Sequence, residues 1–463
     1  MRIEVIGGGS LGAAIAAGLA AAGLDAHSAE EVSDHARGVV FADGLRSVGP
    51  EGATALHLAA LRAARALAKH KGERVFVTVQ DTGGSFAMHG QAGDRAWAGG
   101  LAGLAKTAIA EWAGASVKAI DVATGDGSVD EVAGRVVAEL LSGGADVEVA
   151  LGPSGSRSVV EHHAAPYAAA QRAPLREGSV IVVSGGARGV TATSLASLGH
   201  LRPRLALLGR TALVDEGPET ASAPTEADIR RSLLARAQAT GAIQSPKDVA
   251  REAKLILDCR EIRANLAMLE RSGAQVSYHA VDVRSAEAVA GCLGVIRRAW
   301  GPIHGIIHGA GVLADALIAS QTDEQFDRVF GTKVDGLRHL LAATAADPIE
   351  LLLVFSSVAG RLGNSAQAAY AMANEVLSAV AASERARRGP ACLVRSLAWG
   401  PWAGGMVTPG LARLFEKAGV KLIALDSGAQ ALAREVASDD PFAQVILMNG
   451  DPPVTAIPIH RAG

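Results

Sequence analysis

Residues 179–191 read SVIVVSGGARGVT. A β-branched apolar run, Ser179–Ser184, passes through glycines into a small-residue segment. That is the strand, glycine-turn, helix order of a dinucleotide-binding unit. Gly185 and Gly189 permit a tight turn and close approach to a pyrophosphate, and the following helix offers its first amides to that charge. Thr191 stands where a third glycine is common, so the packing there must tolerate a branched side chain. The next strand, Arg204–Leu208, ends in Gly209 and Arg210.

Downstream, residues 331–374 carry GTKVDG, LLLVFSSVAG and AAYAMAN. Leu351–Phe355 is a continuous apolar strand of the kind buried in a parallel sheet, with Ser356 and Ser357 at its carboxyl end. Ligands of open α/β sheets bind just outside such ends. Tyr370 and Asn374 lie four apart on one predicted helix, so their side chains share a face. The chain has only three tyrosines, and Tyr167 and Tyr278 have no comparable partners. Reducing a ketone requires a proton donor and oxyanion stabilisation as hydride arrives. Tyr370 is the candidate acid, although a phenol of pKa about 10 needs a nearby cation to donate near neutrality. Lys333 can supply that cation while holding a nicotinamide ribose. Asn374 can fix the lysine or a relay water, and Ser357 can donate to the carbonyl oxygen.

Arg188 and Arg210 fall where the adenosine ribose belongs. A guanidinium there pairs with a 2′-phosphate, whereas NAD binders usually carry an acid, so NADPH is the expected cofactor. Asp282, after the strand Val276–Val281, is placed to meet the adenine amino group. The strand Ile303–Ile307 runs into His308-Gly309-Ala310-Gly311, small residues that let a cofactor lie against backbone. His308 has no histidine or carboxylate at ligand spacing, so it reads as hydrogen-bonded structure and no metal is expected.

Residues 211–274 form an unusually long connection. Thr225 caps a helix carrying Ile229, Leu233 and Leu234, and Ser245-Pro246 opens a second one. Its apolar positions continue through Val249, Ile256, Ile262 and Leu269 to Gly273. The expected use of this helical insertion is packing against a neighbouring domain or another subunit.

Residues 1–172 show the α/β pattern too. A strand (Arg2–Ile6), a glycine turn (Gly7–Gly9, Gly12) and an Ala-rich helix open the chain. Arginine followed by a small apolar run also looks like a signal peptide, but the strand–turn–helix reading accounts better for the same letters. Apolar strands at Gly38–Phe41, Val75–Gln80, Val117–Asp121 and Val147–Leu151 alternate with helices, among them Leu101–Trp112. No tyrosine precedes Tyr167, so this half lacks the acid and its glycines read as structural. The expected architecture is two Rossmann-like, doubly wound parallel-sheet subdomains: a degenerate structural one over 1–172 and a catalytic one over 173–463. A net charge of −3 without a basic run gives no footing for nucleic acid or an anionic membrane. Cys259, Cys292 and Cys392 lack metal or disulfide spacing, and no segment is long and apolar enough to span a bilayer. A reducing, cytoplasmic setting is expected.

Assembled, these residues resemble the short-chain dehydrogenase/reductase superfamily, and more closely the ketoreductase domains of type I polyketide and polyunsaturated fatty acid synthases. The likeness rests on SGGARGVT, HGAGVLAD, GTKVDG, FSSVAG, YAMAN and LAWGPWAGGM, and covers nearly the whole chain. Ordinary superfamily members carry lysine four residues after the tyrosine. Here Asn374 takes that place and lysine comes earlier, as Lys333, as in the synthase ketoreductases. The insertion, ending in REIRANLAMLERSGA, is similar to the polyunsaturated-fatty-acid type. Those families also carry a catalytically dead first half that buttresses the second.

The resemblance implies a cofactor set of Gly185, Gly186, Arg188, Gly189, Val190, Arg210, Asp282, Val283, Gly309, Ala310 and Gly311, with Lys333 and Tyr370 shared with catalysis. It makes Ser357, not Ser356, the active serine. Leu313–Asp315 (LAD) is similar to the LDD fingerprint of ketoreductases that form a D-configured 3-hydroxyl, with Ala314 replacing the middle aspartate. Leu362 stands where the other type carries tryptophan, and Met372 lies inside the YxxxN motif. Gly404-Gly405-Met406 opens a helical segment through about Ala418, similar to a mobile lid; the lid as a whole is assigned to 404–422. Asp315, Leu362 and Met406 are the implied stereocontrol residues. The implied activity is reduction of a 3-oxoacyl thioester delivered by an acyl carrier protein among neighbouring synthase domains. The alternative is a redox-inactive structural or epimerising domain of the same lineage. A serine hydrolase ranks below both, because no GxSxG elbow or matching histidine accompanies Ser357. Leu425-Asp426-Ser427 superficially resembles a phosphopantetheine attachment site but reads better as a helix N-cap.

Overall fold

The computed structural model describes residues 1–125, 127–164, 175–241, 245–417 and 419–450. The first subdomain runs β1 (Arg2–Ile6), α1 (Gly9–Ala21), β2 (Asp25–Ala29), β3 (Gly38–Gly44), α2 (Ala53–Ala68), β4 (Val75–Gln80) and α3 (Leu101–Glu111). It closes with β5 (Ser116–Val122), α4 (Val129–Ser142), β6 (Glu148–Leu151) and β7 (Arg157–Val159). Its sheet has the order β2-β1-β3-β4-β5-β6-β7, parallel except for the antiparallel last pair. The expected boundary at 172/173 and Tyr167 lie outside the described residues.

The second subdomain begins with β8 (Val180–Ser184), α5 (Gly189–Ala196) and β9 (Arg204–Gly209). The connection that follows holds α6 (Pro218–Ala221), α7 (Glu226–Thr240) and α8 (Pro246–Arg271). Then come β10 (Gln275–Ala280), α9 (Ala286–Trp300), β11 (Gly305–His308), α10 (Asp323–Ala343) and β12 (Leu351–Ser357). The chain continues with α11 (Val358–Leu362), α12 (Ala368–Arg388), β13 (Leu393–Trp399), α13 (Pro409–Lys417), α14 (Leu425–Val436) and β14 (Gln444–Leu447). The sheet order is β10-β9-β8-β11-β12-β13-β14 with every pairing parallel. The order reverses between β8 and β11, where a ligand-binding crevice forms in such sheets.

One hydrophobic cluster spans both subdomains: Leu56, Leu101 and Leu104 of the first share it with Phe326, Phe330 and Met372 of the second. Helix α3 lies directly on α12. A Cβ on Gly103 would stand 2.8 Å from the Ala371 backbone, so only glycine permits this approach.

Strands β2 and β7 do not show in the sequence pattern. DAHSA and RSV are short and largely exposed, and an apolar-run criterion finds only buried strands. The insertion caps form as expected: the Asp228 amide donates to Thr225 Oγ1 at 3.2 Å and the Asp248 amide to Ser245 Oγ at 3.1 Å. Within the chain the insertion packs in two parts. Its first part builds a small cluster from Ile229, Leu233, Val249, Ala253 and Ile256. The end of α8, however, packs Ile262 and Leu269 against Leu195 and Leu205 of its own subdomain.

Two helix starts also differ from expectation. Gly404 and Gly405 have φ of +156° and +65°, so they make a turn, and α13, the helix expected to form a lid, begins only at Pro409. Residue 418 lies outside the described residues. In α14 the N-cap is Ala424, and Asp426 and Ser427 sit inside the first turn with no side-chain cap bond. Gly428 is pressed against the Trp402 indole, which sets where that helix can start.

Candidate active site

The glycine turn leaves β8 with Gly185 and Gly189 at φ of +71° and +58°. Thr191 is buried and faces Gly309, where an added Cβ would lie 2.9 Å from the threonine Cγ2. The missing third glycine is thus offset by one on the opposite loop. Arg188 does not point freely at the ribose position. Its guanidinium pairs with Glu261 at 2.8 Å and Asp258 at 2.9 Å, both on α8, and the Gly189 amide donates to Glu261 at 3.0 Å. Asn265 also donates to the Ala187 carbonyl, so the insertion helix grips the turn. Arg210 is exposed just beyond β9 and makes no side-chain hydrogen bond among the described residues. Asp282 has both oxygens engaged by Arg284, whose hydrogen bonds hold its carboxyl below the usual range. Val283 is buried beneath it against Gly336.

The four predicted catalytic residues converge. Lys333, buried on α10, donates from Nζ to the Phe355 carbonyl at 2.9 Å and lies 5.4 Å from the centre of the Tyr370 ring. Burial lowers its ammonium pKa to about 7. Tyr370 opens the first turn of α12; burial raises its phenol pKa, while the Ser357 and Asn374 side chains pull it back. Asn374 Nδ2 donates to the Tyr370 carbonyl at 2.8 Å, and its buried Oδ1 has no hydrogen-bond partner among the described residues. Ser357 Oγ accepts from the Ala359 amide, leaving its proton to donate elsewhere. Ser356 points the other way, with Oγ 3.0 Å from the Asn374 carbonyl inside the core. His308 is hydrogen-bonded structure, as expected: one ring nitrogen meets Ser184 Oγ at 2.7 Å and the other the Lys333 carbonyl at 2.8 Å. Burial drives its pKa down to about 3, so the imidazole is neutral.

Of the residues expected to control stereochemistry, Asp315 and Met406 lie near Tyr370 and Lys333 respectively. Gln367 donates to Asp315 at 3.2 Å, just before Tyr370 in the chain, and Leu362 ends α11. Met406 Cε lies 3.7 Å from where a Cβ on Gly311 would be, and Lys333 Cε lies 3.1 Å from the same point.

Sequence reasoning misses a buried ion cluster that joins the subdomains directly behind this site. Glu148 accepts from Lys106 and from Arg361, each at 2.8 Å. Glu375, beside Asn374, lies 3.2 Å from Arg361 and 3.4 Å from Lys106. All four side chains are at most 10% exposed. Burial pushes the Glu148 carboxyl up, but Lys106 and Arg361 outweigh it and the net direction is down. A signal is present: Lys106 and Arg361 interrupt otherwise apolar or small-residue runs, where a lone charge needs a partner.

A glycine turn at the switch point of a parallel sheet, with Lys333 Nζ and the Tyr370 ring centre 5.4 Å apart beyond the end of β12, is the arrangement of a short-chain dehydrogenase/reductase fold. Residues 179–404 match the family model of the KR domain. Over 405 residues the chain is 32% identical to a polyunsaturated fatty acid synthase polypeptide of Thraustochytrium sp., covering 83% of this chain and 14% of that protein. It is 33% identical over 179 residues to a phenolphthiocerol/phthiocerol polyketide synthase polypeptide of Mycobacterium tuberculosis, covering 39% of this chain and 8% of that protein. In solved structures, A-type ketoreductases from a modular polyketide synthase match with a TM-score of 0.72 at 22% identity, over 97% of this chain and 89% of theirs. A ketoreductase domain from the bacillaene assembly line matches with a TM-score of 0.68 at 21% identity, over 97% and 92%. The chain belongs to the ketoreductase domains of type I polyketide and polyunsaturated fatty acid synthases. It spans only a small part of the curated relatives it matches. Among the described residues no helix is long and apolar enough to cross a membrane.

Proposed function

We propose that the chain reduces a 3-oxoacyl thioester, carried by an acyl carrier protein, to the D-configured 3-hydroxyacyl thioester with NADPH. The convergence of Tyr370, Ser357, Lys333 and Asn374 at the carboxyl end of β12 carries this reading. The glycine turn, the α5 amides and the orphaned Asn374 Oδ1 fit a nicotinamide dinucleotide, held by Gly185, Gly189, Lys333 and Arg210. That cofactor, when bound, supplies the hydride. Ser357 donates to the ketone oxygen and Tyr370 delivers the proton that neutralises the developing alkoxide. Lys333 makes the phenol a better acid by standing close as a cation, and Met406 at the lid base helps keep water out. The first subdomain is a scaffold on this reading. It has no tyrosine before Tyr167 to serve as the acid.

NADPH consumption with a short 3-oxoacyl thioester tests the reductase, with NADH run in parallel. Wild type is expected to prefer NADPH. Arg210→Glu should raise KM for NADPH at least about tenfold, the loss of one charge-assisted phosphate contact, and KM for NADH far less. Arg188→Ala should do less, because α8 already holds that guanidinium. Equal rates with both nucleotides would sink the 2′-phosphate assignment.

Lys333 gives the pH dependence its sign. A depressed ammonium pKa means the proton leaves early as pH rises, so the active form dominates below about 7. The expected kcat/KM is flat on the acid side and falls about tenfold per pH unit above that point. Lys333→Arg, which stays charged, should lose the alkaline limb at a lower plateau. A wild-type profile flat to about pH 9 would show that the ammonium is not required.

A further inference from the structure

Glu111 is the last residue of α3, on the non-catalytic subdomain. A carboxylate is poorly placed there, because the carboxyl end of a helix is already the negative end of its dipole. It is also partly withdrawn from water, and burial raises its pKa. Something must offset those costs, and the structure shows what does. Oε2 accepts from the Ile318 amide and Oε1 from the Ala366 amide, both at 2.8 Å.

These amides belong to two different loops of the catalytic subdomain. Ile318 lies between β11 and α10, three residues after Asp315. Ala366 lies between α11 and α12, four residues after Leu362 and four before Tyr370. The loops are also tied to each other. The Ala316 amide donates to the Ala366 carbonyl at 2.9 Å, and Gln367 donates to Asp315 at 3.2 Å. Ala366 has φ of +64°, a left-handed conformation that a non-glycine residue keeps only where its surroundings hold it. One carboxylate from the first subdomain fastens both loops.

We propose that Glu111 is a positioning residue of the reductase site, fixing the 312–321 and 363–367 loops so that only one face of the ketone is presented for reduction. Glu111 touches neither substrate nor cofactor; it acts through the Ile318 and Ala366 amides. The assignment rests on the reductase reading above, and extends it by giving the first subdomain a share in product stereochemistry.

The test measures the enantiomer ratio of the 3-hydroxy product from a short 3-oxoacyl thioester, with KM and kcat, for wild type, Glu111→Gln and Glu111→Asp. Glutamine keeps the shape but turns an NH2 towards one of the two amide donors, so one loop is released. The expected result for Glu111→Gln is a loss of enantiomer ratio of about tenfold or more, since small misplacements of reacting groups have large effects. KM for the thioester should rise and KM for NADPH should stay unchanged. Glu111→Asp, which retains both acceptors on a shorter arm, should fall between. The ratio is set in each turnover by folded molecules, so partial unfolding lowers the rate without moving it. An unchanged ratio and unchanged thioester KM in an active Glu111→Gln variant overturn the proposal. If wild type itself consumes no NADPH, the reductase reading fails and takes this proposal with it. An active wild type that makes both enantiomers equally overturns the role of Glu111 alone.

Discussion

Tyr370→Phe is expected to lower ketone reduction by about 10³-fold, the middle of the range for losing a positioned general acid. Phenylalanine keeps the ring, and with it the packing against Lys333 at 5.4 Å and the first turn of α12. Only the hydroxyl is lost. Tyr370 is only one of the implied cofactor contacts, and those of the glycine turn do not involve its hydroxyl, so NADPH affinity should fall far less than the rate. Single-turnover NADPH absorbance with a 3-oxoacyl thioester, beside a fluorescence titration of NADPH alone, separates the two effects. Near-wild-type reduction by the variant would mean that the proton comes from elsewhere, and Ser357 would be the next group to remove. Intact nucleotide binding in a wild type that never oxidises NADPH, even with carrier-bound substrates, would favour the structural or epimerising reading.

The second large effect is on stability. Arg361→Ala is expected to destabilise the chain by about 3–5 kcal/mol, the usual cost of removing one partner from a buried ion pair. Arg361 is 4% exposed and bonds Glu148 and Glu375 together. Without it two carboxylates share Lys106 inside the subdomain interface, where water cannot screen them. The loss should show as a lower urea midpoint. Because the cluster adjoins Asn374, reductase activity should fall below the midpoint concentration as well. A variant with an unchanged midpoint would mean that solvent reaches the cluster and that the subdomains are held by apolar packing alone. Replacing Lys106, Glu148, Arg361 and Glu375 together by apolar residues is a different experiment, and could be neutral.

Much of the catalytic site is legible because its chemistry is local in sequence. Tyr370 and Asn374 share a helix face four residues apart, and Ser357 ends an apolar strand where open α/β sheets bind ligands, so local pattern marks all three. The glycine turn is legible for the same reason. The cofactor contacts are less legible. In sequence Arg188 reads as a free cation, but Asp258 and Glu261 are some seventy residues downstream in α8, and nothing in the turn announces them. Asp282 reads as an adenine contact, yet Arg284 two residues later engages both its oxygens. The lid start is illegible because glycines in sequence mark a turn or a helix opening equally well until their φ is known.

Spacing within one element, or the order of neighbouring ones, is enough to establish the two α/β repeats and the capped insertion and to single out Lys333, Tyr370 and Asn374, while the choice of Ser357 over Ser356 comes from the family resemblance. How the first subdomain reaches the site depends instead on the folded arrangement. Glu111 and Lys106 lie five residues apart on α3, and their partners in the second subdomain, at positions 318, 366 and 375, come from two separate connections and one helix. Burial and pairing of charges depend on which surfaces meet, and that is set by α3 lying against α12 through Gly103.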